Sequence, residues 1–123
     1  MYTILPRSRG PVLGVEINGK VDIAQERALE AKAEELIREH GRISLLVVLG
    51  DHVGASFEAA TADLKWMLAN MKHLTKIAIV SDSKLLAALV AVDATFAKLA
   101  SIEEKHFDRK DIETAWQWIG SPS

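Results

Sequence analysis

Histidines are the first residues to consider for chemistry. They stand at His40, His52, His73 and His106, and the chain has no cysteine. No two histidines fall at the i, i+4 spacing that puts two metal ligands on one helix face. Without cysteine there is no disulfide, thiolate site or sulfur nucleophile. No metal and no cofactor is expected. His40 and His73 fall near expected helix ends, where an imidazole commonly meets the last carbonyls. Ser56, Ser81 and Ser83 fall after strands, at the edge where open α/β sheets bind ligands. None sits in a G-x-S-x-G elbow, and the loops have too few glycines for a phosphate cradle. Ser56, and Ser83 or Asp82, each precede an expected helix, so N-capping worth about 1 kcal/mol is their first reading. Asp51 and His52 could do acid–base work if both faced a substrate. No third partner accompanies them, and Asp51 reads first as a turn residue. No catalytic residue is therefore expected, and an enzyme is not the favoured class.

The elements that would position these groups follow from patterning. Ile43-Ser44-Leu45-Leu46-Val47-Val48-Leu49-Gly50 is a continuous β-branched apolar run stopped by Gly50 and Asp51. Strands buried on both faces read this way, so it is taken as the central parallel strand. Before it, 2–5 and 12–17 read as two strands of an edge hairpin, with Pro6 and Pro11 at their margins. Asp22 with Gln25 three residues on has the form of a capping box. It opens a helix over 23–40 with Leu29, Ala33, Leu36 and Ile37 inward, ended by Gly41. The other face of that helix (Glu26, Arg27, Glu30, Lys32, Glu34, Arg38) reads as solvated.

A second helix is expected over 57–72, with Phe57, Ala60, Leu64, Met67, Leu68 and Met71 as its core stripe. Trp66 falls about 200° from Leu64 at 100° per residue, outside that stripe. A buried strand over 76–80 follows. A third helix over 84–100 has Leu85, Leu89, Val92, Phe96 and Leu99 inward, with Asp82 or Ser83 as its cap. Leu86 and Val90 add a second apolar pair beside that stripe, and Asp93 interrupts it. A last strand (102–107) and a helix over 109–119, capped by Asp108, complete the chain, with Ile112, Ala115, Trp116 and Ile119 inward and Trp118 turned elsewhere. The whole reads as a single α/β domain. It has one mixed, mostly parallel sheet of about five strands, an antiparallel N-terminal hairpin and four helices.

Composition sets the outer limits. The chain has 123 residues, 49% of them hydrophobic, which suits one domain with a proper core. A net charge of -2 gives no prior for nucleic acid, whose binders usually carry a basic face. Residues 1–6 are too short and too polar for a signal peptide, and the apolar run 85–92 is far below the roughly 20 residues of a spanning helix. A cytoplasmic location, with peripheral membrane contact allowed, is the expectation.

Three blocks of residues carry a resemblance. The first is Leu45-Leu46-Val47-Val48-Leu49 with Gly54, Phe57 and Asp63-Leu64-Lys65. The second is Lys76-Ile77-Ala78-Ile79-Val80-Ser81-Asp82. The third is His106-Phe107-Asp108 with Ala115-Trp116-Gln117-Trp118-Ile119. In this order they resemble the SpoIIAA-like family, whose fold is similar to STAS and CRAL-TRIO domains. The resemblance implies a mixed sheet with helices and no catalytic residues. It also implies binding of a lipid or other apolar compound, with switching between soluble and membrane-associated forms. Anti-sigma-factor antagonists of the STAS group carry a phosphorylatable serine in an Asp-Ser-Ser-Gly-like motif. Here Gly54-Ala55-Ser56-Phe57 departs from that pattern, which leaves Ser56 as the nearest regulatory candidate.

Two function classes follow. In the first, the domain is a non-enzymatic binding module for an apolar small molecule, a lipid or a membrane surface, working through helices 57–72 and 84–100. Trp66, Leu86, Val90 and Phe96 would supply apolar contact, and Asp93 or Lys84 a polar end. A homodimer would cover the same face equally well. In the second, the domain is a protein-interaction regulator using the loop 50–56 and Ser56. Phosphorylation there would add about -2 charge at a helix N-terminus.

Overall fold

The computed structural model describes residues 2–50, 53–82 and 102–121. The expected helix over 84–100, with Leu86, Val90, Asp93 and Phe96, lies outside the described residues, as do Asp51, His52 and Ser83.

Strand β1 (Tyr2–Ile4) and strand β2 (Val12–Ile17) form the antiparallel hairpin, in register Tyr2↔Ile17 to Ile4↔Val15. Helix α1 (Ile23–His40) follows the short strand β3 (Lys20–Val21). Its start is the capping box read from the sequence: the Asp22 carboxylate accepts the Gln25 backbone N–H at 2.8 Å, and the Gln25 side chain accepts the Asp22 N–H at 3.2 Å. It ends at Gly41, whose φ of 82° is open mainly to glycine.

Strand β4 (Ile43–Leu49) is next, followed by the two-residue strand β5 (Gly54–Ala55) and helix α2 (Phe57–Asn70). A 3-10 turn over Met71–His73 leads into strand β6 (Leu74–Val80). Strand β7 (Glu103–Phe107), a second 3-10 turn (Arg109–Asp111) and helix α3 (Ile112–Gly120) close the described chain. The main sheet runs β1-β2-β4-β6-β7, with β1 antiparallel to β2 and the other pairs parallel. The apolar run at 43–49 is its middle strand. Beside it, β3 and β5 form a short parallel ladder, too brief for periodicity to reveal.

The sheet has two covered faces. On one, Leu13, Val15, Ile43, Leu74 and Ile77 pack with Ala33 of α1 and Trp66 of α2. On the other, Leu46, Val48, Ala78, Val80 and Phe107 pack with Ala115, Trp116 and Ile119 of α3. The α3 stripe is the one expected. Trp118 is half-buried, with its ring 5.9 Å from that of Phe107, so it covers the rim of this layer.

Three charged residues at the α3 layer have roles that local patterning does not show. Lys76 lies in an apolar strand yet is only 2% exposed. Its Nζ donates to the Trp118 carbonyl (3.0 Å), the Ser121 carbonyl (2.8 Å) and the Ser121 hydroxyl (2.8 Å). An ammonium suits a helix C-terminus, where carbonyls lack partners and the helix dipole is negative. Asp82 was expected to cap a helix at 84. The helix that Asp82 or Ser83 would cap lies outside the described residues; Asp82 Oδ1 accepts the Arg109 backbone N–H at 2.8 Å, and Asp108, the expected cap of the last helix, makes no side-chain cap bond.

Trp116 seats its indole on Gly14 of β2, where a Cβ would overlap the ring. Gly14→Ala should therefore displace Trp116. The expected cost is about 1–3 kcal/mol, read as a lower midpoint in urea unfolding at unchanged m-value.

Candidate functional site

Helix α2 is the element whose setting departs most from its sequence pattern. It begins at Ser56, whose Oγ accepts the Ala59 N–H at 3.1 Å, while the Ser56 N–H donates to the Val21 carbonyl at 3.0 Å. The hydroxyl of the regulatory candidate is thus engaged as an N-cap.

The inner face of α2 holds Ala59 and Trp66, with Met67 and Met71 half-buried beside them. Trp66 is 9% exposed and belongs to the core, not to the outer surface where the spacing had placed it. A buried indole N–H needs an acceptor. Glu34 of α1 provides it, with Nε1–H···Oε1 at 3.1 Å. Asn70 adds a bond from Nδ2 to the Trp66 carbonyl at 3.0 Å.

This orientation keeps Met67 and Met71 of the expected stripe inward and turns three other members of it outward. Phe57, Leu64 and Leu68 were read as core; they are 86%, 57% and 47% exposed. At 100° per residue the three fall within about 40° of one another, opposite Trp66. They lie along one outward side of the helix. Lys65, about 80° round from Phe57, and Lys72 beyond the helix end are both exposed beside it. Near its start, a groove of about 290 Å³ is lined by Ile23 and Arg27 of α1 and by Phe57, Glu58, Thr61, Ala62 and Lys65 of α2.

The α1 side of the seam corrects a second reading. Glu26, Glu30 and Glu34, spaced i, i+4, i+8, were counted with the solvated face. Glu26 is only 7% exposed. Its carboxyl is pushed up to about 9, first by burial and then by the Asp63 carboxylate of α2, to which it is hydrogen-bonded, with Glu30 adding to both effects. Glu30 Oε2 is buried without a hydrogen-bond partner.

The remaining candidates have structural partners. His73 Nδ1 pairs with the Gly41 carbonyl at 3.2 Å, near the end of α1. His40 Nε2 stands 3.7 Å from Glu39, and His106 Nε2 pairs with the Ser81 carbonyl at 2.8 Å. Ser81 is buried. Among the described residues no group of three His, Asp or Glu side chains could hold a metal ion. Of the five proposed ligand contacts only Trp66 is described, and its indole faces the core. The outward strip was missed because α2 carries large apolar residues on two opposite sides. The position of Trp66 opposite Phe57 was the available signal.

The comparisons with known proteins agree with this architecture. An uncharacterized protein from Shewanella loihica PV-4 with a SpoIIAA-like fold superposes with a TM-score of 0.73 at 24% identity, over 96% of this chain and 93% of that one. That likeness shows the fold. No curated protein matches the chain. The SpoIIAA-like family model matches residues 12–120, covering every element from β2 to α3, and the chain belongs to the SpoIIAA-like family.

Proposed function

We propose that this domain is a non-enzymatic binding module that docks a lipid surface on the outer face of α2. The SpoIIAA-like fold supports an interaction module in general. The observation that carries the finer reading is the exposed strip Phe57, Leu64 and Leu68 with lysines along its border. Contiguous exposed apolar surface marks interaction sites. An apolar face bordered by lysine is also the pattern of helices that lie in a membrane interface. Full transfer of each large apolar side chain from water contributes about 1.5–3 kcal/mol. Each lysine near an anionic surface adds about 1 kcal/mol. Leu86, Val90, Asp93 and Phe96 remain ligand contacts proposed from the sequence, while Trp66, also proposed there, faces the core, and the docking surface proposed here is the outward strip of α2. Among the described residues no helix is long and apolar enough to cross a membrane, so the contact proposed is peripheral.

Flotation with vesicles tests this. The natural protein should float with vesicles containing anionic lipid and less with purely zwitterionic ones. A Leu64→Glu, Leu68→Glu double variant should stay at the bottom while melting like the natural protein. If the natural protein does not float, or the variant floats equally, the lipid reading fails. A dimer seen in sedimentation and lost in the same variant would assign the face to a second copy. The alternative, a protein-interaction regulator of the STAS type, runs through the loop 50–56. For a capping serine, Ser56→Ala should lower stability by about 1 kcal/mol in urea unfolding. A variant of unchanged stability would show that the hydroxyl is free for another role.

A further inference from the structure

We propose that the groove between α1 and α2, near the starts of both helices, takes the phosphate of an anionic lipid headgroup between Arg27 and Lys65, while the acyl chains lie against Phe57, Leu64 and Leu68. The site rests on the lipid reading proposed above and names the headgroup chemistry it selects. Its apolar walls are Ile23, Phe57 and Ala62. The Thr61 hydroxyl, also at the groove, is engaged, donating to the Phe57 carbonyl at 2.8 Å. The polar groups left to meet a ligand are therefore charged ones.

Charge complementarity selects the occupant. Arg27 and Lys65 are exposed and border the groove from opposite helices. Among the described residues neither of them forms an ion pair. Other arginines are committed: Arg7 pairs with Glu113, Arg109 with Glu16, and Arg42 donates to the Leu74 carbonyl. Glu58 also lines the groove, and this single carboxylate against two cations leaves the lining positive. A guanidinium meets two oxygens of one phosphate through parallel N–H bonds, and an ammonium adds a compact charge beside it. A zwitterionic headgroup brings a cation of its own, which both side chains repel.

Size and placement fit a headgroup joined to a lipid surface. At about 290 Å³ the groove stands at the lower end of small-molecule pockets, so the acyl chains must lie outside it. Phe57 connects the two parts, because it lines the groove and is also 86% exposed. Leu64 and Leu68 fall within about 20° of Phe57 around the helix, and Lys65 about 80° round on the groove side. A helix lying in a membrane interface sinks its apolar side to the boundary of headgroups and acyl chains. Its flank, which here carries Lys65 and faces Arg27, then stands at the level of the phosphates.

A charge-preserving substitution tests this, read as partitioning of the full chain onto phosphatidylcholine vesicles that carry phosphatidylglycerol. Arg27→Lys keeps the charge and removes the planar fork, so affinity for the vesicles should fall about tenfold. Arg38→Lys, the same change at an exposed arginine farther along α1, should leave affinity unchanged. Equal affinity of the natural protein and Arg27→Lys would overturn the headgroup site, since diffuse attraction to an anionic surface counts charge alone. Where that equality accompanies lost binding in the Leu64→Glu, Leu68→Glu variant, the docking face stands without a headgroup site. If the natural protein does not bind these vesicles, the lipid reading falls and the headgroup site with it.

Discussion

The hydrogen bond from the Trp66 indole to Glu34 is the constraint on which the rest of this structure turns. A buried indole N–H without an acceptor would cost about 1–3 kcal/mol, so α2 must place Trp66 where an acceptor stands. The acceptor belongs to α1, at a position that looks suited to solvent. Once that bond is made, the rotation of α2 is set. Asp63, one turn before Trp66, comes to Glu26, and Phe57, Leu64 and Leu68 turn to water. The outward apolar strip and the carboxyl pair are thus two consequences of one orientation.

The opposite face of the sheet is built for permanence. Trp116 occupies the space that Gly14 leaves, and Arg7 lies over its ring at 5.0 Å while pairing with Glu113. Lys76 reaches through the layer to the carbonyls ending α3, and Trp118 covers it, 5.1 Å from Nζ to the ring centroid. A buried ammonium is tolerable because each donor has an oxygen to meet. The two faces therefore differ in kind. One helix is tied down by a satisfied cation, and on the other side α2 is fixed to α1 through the Trp66 indole and Glu34.

Local rules were legible in the sequence, and tertiary choices were not. The capping box at Asp22 and Gln25, the glycine ending α1, the Ser56 cap and the β-branched middle strand all involve residues within a few positions of one another. Each came out as read. The rotation of α2 depended on a residue 32 positions away, because two opposite apolar arcs give a single helix no preferred inside. Lys76 likewise meets its partners 42 and 45 positions on, and Asp82 caps a turn 27 positions on. The acidic stripe of α1 read as solvated because charge usually marks an outer face. Glu34 is exposed as read even while it accepts the Trp66 indole N–H, and Glu26 is the member of the stripe that is buried. In the candidate site the same limit applied: the pattern of α2 did not show which of its sides turns outward.

The absence of cysteine makes one measurement unusually direct. A nitroxide label introduced by Leu64→Cys on α2, with a second protein labelled through Gln117→Cys on the exposed side of α3, can be followed as anionic vesicles are added. Accessibility to oxygen and to a water-soluble nickel chelate reports whether each label enters lipid. Docking through α2 predicts that the label at 64 becomes oxygen-accessible and shielded from nickel, while the label at 117 stays in water. A label at 64 that remains as exposed to nickel with vesicles as without them would contradict docking through this face.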